Sequence, residues 1–203
     1  MVILDGNLTL SLPLDISITT VMDALSHSLE AIWNKNANHM STDYAISAIC
    51  SILGNAEALK QTSSDLSIRN KLLEASTTAG LAFSNTTTAA AHSMSYPLTI
   101  YYGIPHGVAS SISLHPLLEI NGKLIKEPLD KICNNLELTY NELKQTIKAI
   151  PQGVIPYTLK AWGIPEDQLP RLAGESFTKG RMGNSIVDLS EDQILYILNE
   201  IYN

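Results

Sequence analysis

Asp23 and His27 stand four residues apart in the stretch VMDALSHSLEA. On a helix that spacing projects both side chains from one face, with their heads close enough to share a ligand. Taken alone the pair is ordinary, since helix surfaces carry Asp and His freely. Two further histidines change its weight. His92 lies in AAAHSMSYP and His106 in GIPHGVA, both in apolar text with few charged neighbours. Either one singly reads as a buried imidazole bonded to backbone. Burying a carboxylate and three imidazoles together is costly unless something compensates, and a divalent cation does so. One carboxylate with three imidazoles suits Fe(II), Zn(II) or a similar borderline ion rather than calcium or magnesium. By contrast His39, in the polar run Asn36-Ala37-Asn38-His39, and His115, before Pro116, read as structural.

The elements that must position these residues read as helices almost throughout. A first helix is expected from about Asp15 or Ser17 to Trp33, with Leu25, Leu29 and Ile32 at helical spacing. Ser41-Thr42-Asp43 reads as the N-cap of a second helix, whose apolar stripe runs through Ile46, Ile49, Cys50, Leu53, Ala56 and Leu59. A third spans about Asp65 to Asn85. The stretch from Tyr96 to Pro105, punctuated by Pro97, Gly103 and Pro105, reads as a loop, with a helix following His106. Shorter helices are expected near Leu129–Leu136, Asn141–Ile150, Ile155–Trp162 and Glu166–Ala173, and Ser190 caps a last one. Alternating strand text is missing beyond residue 13. The fold class is therefore an all-α helical bundle over residues 15–203, preceded by a short extended lead-in at residues 1–14.

Composition agrees with a folded, apolar-cored protein: 203 residues, 45% hydrophobic and 16% charged. Thirteen basic against twenty acidic residues leave a formal charge of −7, which argues against a nucleic-acid binder or a basic membrane-surface protein. No apolar run approaches the roughly 20 residues that cross a bilayer, and MVILDGNLTL lacks the pattern of a signal peptide. The two cysteines, Cys50 and Cys133, are too few for a disulfide framework and read as buried free thiols. A cytoplasmic location is expected.

The text DGNLTLSLPLDISITTVMDALSHSLEA, followed by ASTTAGLAFSNTTTAAAHSMSYPLTIYYGIPHGVA, strongly resembles the iron-containing alcohol dehydrogenase family, from about Asp5 to the end. The ordered set is specific: Asp-x3-His on a helix, a histidine 65 positions after His27, and another 14 positions beyond within Pro-His-Gly. The resemblance implies the all-α C-terminal domain of the dehydroquinate synthase-like fold. It implies that Asp23, His27, His92 and His106 are ligands of a catalytic divalent metal, commonly Fe(II), with Zn(II) or Ni(II) as alternatives. That ion would polarise the oxygen of a small alcohol or aldehyde during hydride transfer to or from NAD or NADP. The related glycerol dehydrogenase and dehydroquinate synthase types use zinc with fewer ligands, and His27 inside Asp-Ala-Leu-Ser-His favours the iron type.

Two departures from the family pattern shape the expectation. Many members carry a second histidine four residues after the third ligand; here Tyr96 stands there, able to hydrogen-bond a substrate but a poorer proton acceptor near neutral pH. The text HSMSYPLT is similar to a branch that includes phosphonoacetaldehyde reductases, and for an anionic substrate Lys179 and Arg181 in FTKGRMGN are the candidate cations. Second, the Gly-rich strand-turn-helix that would seat a nicotinamide cofactor is missing from the text. The expectation is the metal-binding half of an enzyme, inactive when isolated, with a homodimer or a separate nucleotide-binding chain as partner. The alternative is a non-catalytic helical module that docks through Ile3, Leu4, Leu8, Leu10, Leu12 and Leu14.

Overall fold

The computed structural model describes residues 2–203. Three long helices form its body: α1 (Leu14–Ile32), α2 (His39–Gln61) and α3 (Leu66–Thr86), each packed against the other two. On α1 the fully buried Ile18, Met22, Leu25 and Leu29 recur at helical spacing and turn one face to the core. Asp65 starts α3 by accepting from the amides of Ser67 and Ile68. Seven shorter helices follow: α4 (Ala90–Tyr102), α5 (His106–Ala109), α6 (Leu114–Asn121), α7 (Lys126–Leu136), α8 (Tyr140–Ala149), α9 (Leu169–Glu175) and α10 (Glu191–Glu200). A single apolar core runs through all of them. The all-α expectation holds: among the described residues the only β pairing is an isolated bridge between Asn34 and Ser185. Among the described residues no helix is long and apolar enough to cross a membrane.

Several local expectations are corrected. The lead-in is not extended, because Gly6–Thr9 forms a 3-10 turn capped by the Asp5 carboxylate. The cap of α2 is Asn38 rather than Ser41-Thr42-Asp43; Ser41 is the third helical residue, and it completes a capping box with Asn38. Tyr96 lies on α4 and not in a loop. Pro97 costs that helix one backbone hydrogen bond, but from Ala90 to Leu98 nearly the whole circumference of α4 is buried and packing outweighs the loss. The helix stops only at Gly103, whose positive φ of 65° suits a residue without Cβ. The expected helix at Ile155–Trp162 shrinks to a 3-10 turn at Lys160–Trp162, since Leu159 and Lys160 donate instead to the carbonyls of Ile201 and Tyr202. Glu166–Gln168 is likewise a 3-10 turn that leads into α9. Both cysteines are free but only half-buried.

Two short-range devices bring α5 against α1. Ser26 Oγ donates to the Ser110 carbonyl at 2.7 Å. Gly107 passes so close to the Thr19 carbonyl oxygen that an added Cβ would overlap it. With α4 packed on both, the three elements that carry His92, His106 and the Asp23–His27 pair converge.

Candidate metal centre

Asp23, His27 and His92 each offer a donor atom within 4.8 Å of the other two. Asp23 Oδ1 lies 3.6 Å from His92 Nε2 and 3.7 Å from His106 Nε2, and Asp23 Oδ2 lies 4.0 Å from His27 Nδ1. His106 therefore borders this group rather than closing it. Its ring is 5.3 Å from that of His92, and its side chain is 49% exposed. His27 is stacked between Phe83, at 4.2 Å, and His92, at 4.6 Å, which fixes its plane.

Outer contacts hold the inner residues. Ser110 Oγ donates to Asp23 Oδ1 at 2.7 Å. Glu30, wholly buried on α1, meets His92 twice: Oε2 is 2.6 Å from ring Nδ1, and Oε1 accepts from the His92 backbone N–H at 3.2 Å. His92 Nε2 faces the cluster, buried, with no hydrogen-bond partner. Sequence reasoning missed Glu30, Ser110 and Phe83. The one trace of Glu30 in the sequence is positional, since Asp23, His27 and Glu30 at i, i+4 and i+7 share one face of α1, but its partner lies far along the chain.

The electrostatics follow from this crowding. Burial raises the Asp23 carboxyl, but His92, His27 and Ser110 outweigh it and hold the group down at about 2. For His27, burial is the main effect and takes the imidazole down to about 4, against the pull of Asp23. Burial lowers His92 too, yet its two flanking carboxylates, Asp23 and Glu30, more than reverse this and raise it to about 9.

Tyr96 lies one turn beyond His92 on α4, with the Arg181 guanidinium 5.2 Å over its ring. Arg181 also donates to the Thr88 hydroxyl, so it is half-buried and anchored. Lys179 stands apart. It is exposed and lines a shallow surface depression with Phe177, Met182 and Leu189.

Comparison with known proteins bears on the same residues. The model of the Fe-containing alcohol dehydrogenase family, C-terminal, matches residues 17–202. The chain is 31% identical to 1,3-propanediol dehydrogenase of Klebsiella pneumoniae, over 89% of this chain and 51% of the relative. It is 28% identical to the NADPH-dependent butanol dehydrogenase of Clostridium saccharobutylicum, over 98% and 54% respectively. Among solved structures, a sulfoacetaldehyde reductase from Bifidobacterium kashiwanohense in complex with NAD+ superposes with a TM-score of 0.87 at 26% identity, covering 97% of this chain and 53% of that one. The chain thus spans about half the length of the curated relatives it matches. With nearly all of its residues matched, the chain belongs to the Fe-containing alcohol dehydrogenase family and corresponds to the C-terminal domain of that family.

Proposed function

We propose that the chain is the metal-binding half of an NAD(P)-dependent alcohol dehydrogenase or aldehyde reductase. Asp23, His27, His92 and His106 would hold one divalent ion, Fe(II) foremost, with Zn(II) or Ni(II) also suited to these donors. The observation that carries this is His92 Nε2: a buried ring nitrogen with no partner, turned toward a carboxylate and two further imidazoles. At 3.6 and 3.7 Å from Asp23 Oδ1, the nitrogens of His92 and His106 are too far for good hydrogen bonds. They are close enough for both nitrogens and the carboxylate to share one ion, the compensation that a buried donor without a partner calls for. The ion would act as a Lewis acid on the substrate oxygen during hydride transfer.

The chain's own residues orient what reacts there. Phe83 covers His27 and keeps water from that side of the group. Tyr96, on the same helix as His92, is the proposed hydrogen-bonding catalytic residue toward the substrate. Arg181 behind Tyr96, with Lys179 further out, supplies positive charge for a substrate that carries an anionic group. The sulfoacetaldehyde reductase among the structural relatives favours such an anionic aldehyde. The nicotinamide cofactor would be seated by a unit other than this helical one, residues 1–14 being the link toward it. The isolated chain is therefore expected to turn nothing over.

Metal analysis after loading at neutral pH and removal of excess ion tests the first part, with one ion per chain expected. No retained Fe, Zn or Ni would overturn it. Aldehyde-dependent oxidation of NADH or NADPH by the purified, metal-loaded chain would overturn the second. A non-catalytic metal- or partner-binding module is the second reading, favoured by the exposed Val2, Ile3, Leu4 and Leu8. A complex between this chain and a nucleotide-binding chain that still lacks activity would select it.

A further inference from the structure

The two contacts between Glu30 and His92 use different oxygens for different purposes. The His92 amide is the third N–H of α4, one of the donors that a helix start leaves without an intrahelical acceptor. Ala89, at the cap position, has no side chain to accept it. Glu30 Oε1 supplies that acceptor from another helix, and its carboxylate sits at the positive end of α4. Glu30 Oε2 takes the ring Nδ1 of the same residue. One rigid group, locked in the core on α1, therefore sets where His92 begins its helix and which way its ring turns.

We infer that Glu30 is a positioning residue of the metal centre, which holds the Nδ1 proton of His92 so that Nε2 is the ring atom freed toward Asp23 and His27 when an ion displaces its proton. This rests on the metal-binding reading above. The requirement is for two acceptor oxygens at once, and it explains why a carboxylate is buried there at all. An amide does not meet it. In Glu30→Gln, Oε1 still accepts from the His92 amide, but the NH2 group must donate to Nδ1. The proton of neutral His92 then moves to Nε2, the atom that should ligate. Packing and both hydrogen bonds survive, while the ring presents the wrong tautomer.

The test compares Co(II) and Zn(II) binding to the full 203-residue chain, wild type against E30Q, by competitive titration, with the Co(II) visible spectrum and the melting of the metal-free protein as further readouts. The expected result is a metal affinity of E30Q lower by about 10–100-fold, an altered Co(II) spectrum, and a metal-free chain that still unfolds cooperatively, its melting lowered at neutral pH by the loss of the charged partner of His92. Wild-type affinity and spectrum in a folded E30Q would overturn the inference alone. Failure of the wild type itself to bind Co(II) or Zn(II) would overturn it together with the metal-centre reading. If E30Q does not fold, Glu30→Asp decides, because it keeps both acceptors on a shorter arm. Affinity for Co(II) within about tenfold of wild type in E30D supports the inference, and binding as weak as in a His92→Ala chain refutes it.

Discussion

Arg69 and His92 are both buried in the helical body, and their surroundings differ in kind. Arg69, 4% exposed, gives Nε to the Ser63 carbonyl at 2.7 Å, Nη1 to Ser17 Oγ at 2.6 Å and Nη2 to the Leu12 carbonyl at 3.1 Å. These neutral acceptors come from three places: the segment before α1, α1 itself and the turn between α2 and α3. Arg69 therefore acts as a clamp, its hydrogen bonds spent on scaffold. His92, 3% exposed, is anchored on one side only. Glu30 holds Nδ1, while Nε2 is left bare beside other donors. Four other buried polar atoms also lack partners: Trp33 Nε1, Ser113 Oγ, Asn121 Oδ1 and Tyr157 Oη. Among the described residues, only the bare atom of His92 belongs to a group of metal-ligating side chains. A buried polar group whose hydrogen bonds tie separate segments together is structural, whereas one whose free atom stands among metal-ligating side chains points to something that is bound.

The sharpest way to break this contrast is a pair of substitutions. His92→Ala should abolish stoichiometric metal retention, read by metal analysis after gel filtration. Arg69→Ala should leave retention at one ion per chain and instead lower stability by about 2–4 kcal/mol in urea denaturation, since three acceptors lose their donor. Metal loss in the Arg69 variant, or full retention in the His92 variant, would erase the distinction.

A pH series sharpens it further. With its pKa raised to about 9, metal-free His92 keeps a proton at neutral pH that an incoming ion must displace. Between pH 7 and pH 9 the apparent affinity should therefore rise by about tenfold per pH unit, with one proton released per ion, as counted calorimetrically in buffers of different ionisation enthalpy. Stability runs the other way. A group whose folded pKa lies above its unfolded 6.5 stabilises fully below that value and ceases to do so as pH rises through about 9. The melting temperature of the metal-free chain should fall over that interval while its increase on adding metal grows. A pH-independent affinity would contradict the assignment of His92. The smallest effect is expected at Gly107, where Ala would press α5 away from the Thr19 carbonyl. About a tenfold loss of affinity should follow, from weaker engagement of His106, with the other three donors in place.

Much of the architecture was readable from local chemistry. Ser190 was placed correctly, because a capping box announces itself within four residues. The candidate donors stood out for a different reason: Asp23, His27, His92 and His106 are conspicuous in text with few charges, and the structure brings them into one region. What escaped depended on distant parts of the chain. The second half of α4, from Tyr96 on, read as a loop because Pro97 and Gly103 are local punctuation, and the packing of α4 against α1, α5 and α9 keeps it helical. The segment at Ile155–Trp162 is short of helix for the mirror reason: its backbone is claimed by the end of α10, some 40 residues away. Glu30 was overlooked because nothing nearby in sequence gives a buried carboxylate its purpose; its partner is 62 residues on.

In the proposed metal centre, the uneven exposure of the four donors has a consequence in time. Asp23 and His27 on α1 and His92 on α4 sit in packed surroundings and are held by Ser110, Phe83 and Glu30, a seat largely formed before an ion arrives. His106, half in solvent on a four-residue helix, has the freedom of a latch. Capture should thus be quick and governed by the preformed three, while the residence time of the ion is governed by how often His106 swings away. In such a centre the outermost ligand contributes little to arrival and most to departure, so exchange of one metal for another proceeds through the side chain that faces the water.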